Sequence, residues 1–407
     1  MLWHLIHIID IILWVVMAAS VFYILFFALI STLWKKRMSE LTSFLTDKAL
    51  SMRKKEHFSY LILYPAYNED RVIIPSVRKF LGQYYPYESF HVVVISDHMQ
   101  PETNQELSEM PITVLQPVFE KSSKAKAMQY AMDQIKEEYD FVVILDADNV
   151  VEPHFLEQLN EECAKGYKAI QCHRCAKNNN NNIAVLDGVS EEINNTIFRK
   201  AHNRIGLSSA LIGSGMCFDY KWFKENVYNL TTAGEDRELE ALLLKQKVYI
   251  HYESDIHVFD EKVSNKDNFQ KQRLRWMTAQ IQSLFNLLPY IPQAIRTFNI
   301  DFIDKTIQQA LIPRSMLIIG TLGLSILMTP VSLFFDNLWF VKWWCLFLAI
   351  CAALYIATPQ QLRSHSVFGQ ILSLPALVWK MAMNLLKIDR KNTDFIHTTH
   401  DQAEKKS

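Results

Sequence analysis

The chain has 407 residues, with 42 Lys and Arg against 43 Asp and Glu. That near-neutral balance gives a nucleic-acid partner no electrostatic footing, and six cysteines without a regular framework argue against a disulfide scaffold and fit a reducing compartment. Half the residues are hydrophobic, with the apolar excess at the two ends, so membrane segments are expected around a soluble middle.

The first apolar run, about Ile8 to Trp34, is long enough to cross ~30 Å of hydrocarbon. His7 and Asp10 lie near its start, where water or headgroups can serve them. A cleavable signal peptide fits poorly, because no basic residue precedes the run and no small-residue cleavage site follows it. Lys35-Lys36-Arg37 comes next, which places the following domain on the cytoplasmic side by the positive-inside rule.

From Phe58 to Glu253, short apolar runs alternate with amphipathic patterns. Strands are expected at Phe58–Tyr64, His91–Ser96, Ile112–Leu115, Phe141–Leu145, Lys168–His173, Met216–Asp219 and Lys247–Tyr252. Helices are expected at Lys124–Lys136 and Asp236–Gln246. Such alternation predicts an α/β domain with a mainly parallel sheet, whose ligands bind beyond the carboxyl ends of the strands. The five asparagines Asn178–Asn182 read as a surface loop.

Chemistry-bearing residues stand at those strand ends. The first strand runs into Pro65-Ala66-Tyr67-Asn68-Glu69, suited to a base or ribose, although a solvated turn reads the same way. The second ends in Ser96-Asp97-His98, where Asp97 can accept from a uracil or ribose hydroxyl or cap the next helix. Lys124 opens a helix whose N-terminus attracts anions, though a solvated basic face is the commoner reason for a lysine cluster. The fourth strand delivers Asp146-Ala147-Asp148, two carboxylates on one face of an extended chain, which suit a hard divalent cation.

Gly213-Ser214-Gly215 permits close approach by a sugar, or is a simple turn. In Gly234-Glu235-Asp236 the acids stand at a helix start, and Asp236 can serve as a general base. Cys172-His173-Arg174-Cys175 has no second pair at zinc spacing, so buried strand cysteines are expected. Gln272, Arg275 and Trp276 share one helix face, with a guanidinium that grips diphosphate and an indole that stacks on sugar. An interfacial Arg-Trp pair is the competing reading.

Phe285–Ile312 mixes apolar and charged residues as interfacial helices do. Two further spans are expected at Met316–Phe335 and Leu338–Ala357, joined by a turn at Asp336-Asn337. Val367–Leu386, interrupted by Pro375 and Lys380, is expected to lie on the cytoplasmic face. No charge pair is expected within the spans, which weighs against a transporter.

In this order and spacing the motifs resemble the family-2 inverting glycosyltransferases, above all the membrane-embedded cellulose, chitin and hyaluronan synthase group. The resemblance implies a GT-A (Rossmann-like) cytoplasmic domain at 50–284. Around it would lie an N-terminal span at 1–37, interfacial helices at 285–312, two spans at 313–358 and a tail at 359–407. It implies a multi-pass protein of the cell membrane. The expected partners are a nucleotide sugar, UDP-linked by preference, and a polysaccharide or lipid acceptor, with homo-oligomers or export partners open.

By position, Pro65, Asn68, Glu69, Asp97, Lys124, Asp146, Gln272 and Arg275 would hold the donor. Asp148 and Asp146 would hold Mg²⁺ or Mn²⁺. Gly213, Ser214, Gly215 and Trp276 would meet the acceptor, and Asp236 with Glu235 would catalyse. The chain departs from the pattern at Ser96-Asp97-His98-Met99 and at Ser123, where a glycine is usual. A non-catalytic nucleotide-binding membrane protein is the competing class.

Overall fold

The structure, a computed structural model, describes residues 2–33, 56–178, 182–232, 234–262, 266–334 and 338–363. At its centre is an eight-stranded sheet in the order β3-β2-β1-β4-β7-β6-β8-β5. The strands are β1 (Tyr60–Tyr67), β2 (Phe90–Asp97), β3 (Thr113–Leu115), β4 (Phe141–Ile144), β5 (Val150–Val151), β6 (Ala169–Ala176), β7 (Met216–Asp219) and β8 (Ile250–Asp260).

β1 is apolar at every position from Tyr60 to Ala66 because helices cover both faces of the sheet. Tyr60, Ile62 and Tyr64 enter one core with Val143 and Phe155, while Leu61 and Leu63 enter the other with Met128 and Phe218. Tyr60 pairs with both Phe90 and Phe141, so β2, β1 and β4 start level. Their carboxyl ends therefore open on one side, which carries Glu69, Asp97 and Asp146.

The sheet is mainly parallel, as expected, but mixed. β1–β2, β1–β4, β2–β3 and β6–β8 are parallel, but β7 runs antiparallel to both β4 and β6, and β5 runs antiparallel to β8. Alternating apolar runs report that a strand exists, not its direction. Gly215 begins the reversal: its N–H donates to the Ile144 carbonyl at 2.9 Å, and its own carbonyl accepts from Cys172 at 2.8 Å.

Helices that matter for the site are α1 (Leu2–Leu33), α2 (Ile73–Phe80), α3 (Pro101–Ser108), α4 (Lys124–Gln134), α5 (Phe155–Ala164) and α6 (Asn182–Asn194). α6 continues through a π-helical stretch, Asn195–Ala201, and a last turn, His202–Arg204. Then follow α7 (Tyr220–Asn226), α8 (Glu235–Lys245), α9 (Lys266–Leu287), α10 (Ile291–Arg296), α11 (Ile300–Ala310), α12 (Arg314–Phe334) and α13 (Trp339–Ala357). Ser123, standing where a glycine was expected, caps α4 by accepting from the Lys126 N–H at 3.2 Å.

Among the described residues three helices are long and apolar enough to cross a membrane: His7–Leu33, Arg314–Phe334 and Trp339–Ala357. They pack on one another, and a Cβ on Gly320 would lie 2.8 Å from Met17 Cε, so glycine permits the close approach of α12 to α1. The expectation of no charge pair here is wrong. Lys342 on α13 pairs with Asp10 on α1, and Trp343 Nε1 donates to the same carboxylate at 2.8 Å. Apolar surroundings make an unpaired acid costly, so the pair and the indole satisfy it together.

α1 is also tied to the sheet domain. Tyr23 donates to Asp304 on α11 at 2.7 Å, and Asp301 accepts from the Ser208 N–H at 2.7 Å. The turn at 336–337, the segment 367–386 and the tail at 395–400 lie outside the described residues.

Candidate active site

A single cavity of about 890 Å³ opens over the carboxyl ends of β1, β2 and β4 and runs on between α1, α12 and α13. Twelve of the expected site residues line it: Pro65, Glu69, Asp97, Lys124, Asp146, Asp148, Gly213, Glu235, Asp236, Gln272, Arg275 and Trp276. Asp148, Asp236 and Trp276, far apart in the chain, thus face one space.

Three expected residues do not line it. Asn68 is exposed, with φ 53, and its N–H donates to the Asp97 carbonyl at 3.2 Å, so it turns the chain out of β1. Ser214 is fully buried and lies within 3.5 Å of Arg174 Nη1, with its hydroxyl also bonded to Asp146. Gly215, with φ 62, is required by packing, because a Cβ there would lie 2.9 Å from Val258 Cγ2. Neither Ser214 nor Gly215 lines the cavity. Both brace the strands beneath.

The acidic floor is the densest feature. Asp146, Asp148 and Asp260 place one carboxylate oxygen each within 4.8 Å of the others. Asp260, at the end of β8, is a member that sequence reasoning missed. A set of three carboxylates is hard, oxygen-only and suited to Mg²⁺ or Mn²⁺, so the residues fit the expected cation. Asn149 Nδ2 donates to Asp148 at 3.1 Å and to Asp260 at 3.3 Å, and the Glu261 N–H donates to Asp148 at 2.9 Å, which fixes both acids.

Cations surround this floor. Lys124 pairs with Asp146, donates to the Gly213 carbonyl at 2.8 Å and stands 3.8 Å from Glu235. Its charge therefore meets carboxylates, where a donor phosphate or base had been expected. Arg174 contacts Glu191 at 2.7 Å, Asp260 at 3.8 Å and Asp146 at 3.9 Å. Lys262 contacts Asp260 at 2.7 Å and also pairs with Glu191.

Burial pushes the Asp146 carboxyl up, but Lys124 and Arg174 outweigh it and hold the group below its usual range. Burial likewise opposes the charge on Asp260, which Arg174 and Lys262 keep ionised. Glu235 behaves differently. Burial and the neighbouring Asp236 raise it, Lys124 offsets only part of that, and it is pushed up to about 7. Arg174, two residues before the end of β6, and Asp260, the last residue of β8, reach the floor only through the register of those two strands.

α9 closes the site from the membrane side. Gln272, Arg275 and Trp276 all face the cavity, and Arg273 lies over the Trp276 ring at 4.7 Å while pairing with Asp187 at 2.6 Å. Gln272 Oε1 is buried without a hydrogen-bond partner. Of the other candidate ligand clusters, His173, Cys175 and His257 lie together, but both ring nitrogens of His173 are engaged, by Glu192 at 2.9 Å and Tyr252 at 2.6 Å.

No curated protein sequence matches the chain. Among solved structures, the mannosyltransferase PcManGT from Pyrobaculum calidifontis, in complex with GDP-Man and Mn2+, is 13% identical with a TM-score of 0.46, over 82% of this chain and 98% of its own. S. aureus TarS 1-349 in complex with UDP-GlcNAc is 12% identical with a TM-score of 0.43, over 81% and 92%. The family described as "Glycosyltransferase like family 2" matches residues 59–279, more than half of the 407. The chain belongs to glycosyltransferase family 2: its mixed α/β, GT-A-like domain is that of an enzyme transferring sugar from a nucleotide-sugar donor.

Proposed function

We propose that this chain is an inverting, divalent-cation-dependent hexosyltransferase of a cell membrane, with its transfer domain cytoplasmic. The observation that carries the reading is the convergence of Asp148, Asp236 and Trp276 on one cavity. Pro65, Glu69 and Asp97 line the end of the cavity formed by β1 and β2 and take the nucleoside, UDP by preference. Arg275 holds the diphosphate, and Gln272 presents an unpaired carbonyl oxygen to a sugar hydroxyl. Asp146, Asp148 and Asp260 would hold the divalent cation, which would supply positive charge against the departing diphosphate.

Asp236 sits at the start of α8, beneath the Gly213 turn, where a Cβ on Gly213 would be 3.8 Å from its Oδ2. It takes the proton of the acceptor hydroxyl as that oxygen attacks the anomeric carbon from the face opposite the diphosphate. The carbon–oxygen bond to the diphosphate breaks with its electron pair, and the product has inverted configuration. Lys124 keeps Asp146 ionised and locks Gly213, so it positions the floor. Trp276 supports the acceptor by stacking. The test is diphosphate release from a panel of nucleotide sugars with Mg²⁺ or Mn²⁺, followed by the anomeric configuration of the product. Retained configuration, or no turnover with any sugar, would overturn the reading.

The polysaccharide acceptor implied by the synthase resemblance and a lipid acceptor both reach the base from the bilayer side. The lining of that side favours the lipid.

A further inference from the structure

Beyond Trp276 the cavity changes character. Its walls become Ile318 and Leu322 on α12, Phe347 and Leu354 on α13, and Ile24 on α1. Two cations stand where the polar and apolar parts meet. Arg199, 4% exposed, comes from the π-helical stretch, and Arg314 begins α12. Both line the cavity.

Neither has a carboxylate within 4.0 Å among the described residues, unlike Arg174, Lys124 and Lys262. Arg199 donates only to neutral oxygens, Ala210 O at 3.2 Å and Asn195 Oδ1 at 2.9 Å. Arg314 Nη2 donates to Ser190 O and Oγ at 3.0 and 3.1 Å, while its Nη1 is buried without an acceptor. Arg199 and Arg273 are close enough to Arg314 to repel it. Glu191 and Glu240 act on Arg199 only from beyond contact distance, and guanidiniums gathered out of water with no carboxylate in contact among the described residues are costly, a cost that an anion removes. Arginine's planar fork suits phosphate oxygens in particular.

We propose that the acceptor is a membrane phospholipid whose headgroup carries a free hydroxyl, with its phosphate between Arg199 and Arg314 and its chains against α12 and α13. The inference rests on the sugar-transfer reading above and names its acceptor. A neutral polysaccharide has no charge for these arginines and too many hydroxyls for the apolar wall. The lipid's hydroxyl oxygen forms the new bond to the anomeric carbon, its proton passes to Asp236, and the nucleoside diphosphate leaves with the electron pair. The lipid phosphate is unchanged throughout.

The test uses the full chain in vesicles with radiolabelled UDP-glucose, UDP-galactose, UDP-N-acetylglucosamine and GDP-mannose. Phosphatidylglycerol offers phosphate and hydroxyl, diacylglycerol only the hydroxyl, and phosphatidylcholine only the phosphate. Label should enter the lipid fraction with phosphatidylglycerol and not with the other two. Arg314→Gln should raise the KM for phosphatidylglycerol about 10- to 100-fold, leave nucleotide binding unchanged, and be partly rescued by Arg314→Lys. Retained nucleotide binding also shows that the variant is folded. Equal transfer to diacylglycerol, label in long water-soluble chains, or weakened nucleotide binding in the Arg314 variants would each overturn the lipid phosphate site while leaving sugar transfer standing. Absence of diphosphate release under every condition would overturn the sugar-transfer reading itself.

Discussion

The two ends of the cavity treat charge in opposite ways. At the sheet end, Asp146, Asp260 and Glu191 are each met by Lys124, Arg174 or Lys262. At the apolar end, among the described residues, Arg199 and Arg314 donate only to neutral oxygens. A charge that is already matched holds structure in place. One that is buried and unmatched is available to a ligand. The pair of Asp10 and Lys342, between the apolar helices α1 and α13, sharpens the contrast, because apolar surroundings there do contain a matched acid.

The largest test of this contrast is Asp236→Asn. Removing the base should lower kcat by about 10²- to 10⁴-fold with nucleotide binding retained, as read by turnover and titration calorimetry. Near-normal turnover would remove Asp236 from catalysis. Next, Asp260→Asn should raise the Mg²⁺ or Mn²⁺ concentration needed for half-maximal activity by about 10- to 100-fold. An unchanged metal requirement would restrict the cation to the pair Asp146 and Asp148.

Asp10→Ala should lower stability in detergent by about 1–3 kcal/mol. That is less than for a fully buried pair, because the Lys342 side chain keeps 26% exposure. Adding Lys342→Ala should recover much of the loss. Additive losses in the double variant would show that the pair is not coupled.

The smallest effect concerns Glu235, raised from 4.5 to about 7. Below pH 4.5 both folded and unfolded carboxyls hold the proton. Between there and about 7 only the folded one does, so stability falls as pH rises through that window. Thermal unfolding in EDTA should show this slope in the native chain and a flatter one in Glu235→Gln. Parallel curves would place the shift elsewhere.

Much of this was legible in the sequence because strands buried on both faces are continuous apolar runs. Phe141–Ile144 and Met216–Asp219 were visible by composition alone, and Asp146 and Asp148 by following the first of them to its end. Strand direction was not legible, since β7 looks the same in either sense. Nor was Asp260. It lies 112 residues after Asp148, at the end of a strand whose polar positions hide its limits, and only the register of β8 beside β6 brings it to the floor. Asn68, Ser214 and Gly215 stand off the cavity lining for the opposite reason: motif position marks a bend without telling a brace from a contact. Arg199 and Arg314 carry no local signature, because what distinguishes them is that their partners in space, among the described residues, are neutral oxygens and not carboxylates.

Gln280, on the helix that bears Arg275 and Trp276, donates to the carbonyls of Gln309 and Leu311 at 3.1 and 2.9 Å. Those carbonyls lie just ahead of Pro313 and the root of α12. These two bonds tie α9 to the start of α12. On the proposed reading, in which α12 spans a bilayer, a thinner or thicker membrane would alter the tilt of α12, and lipid thickness would become an input to the distance from indole to base.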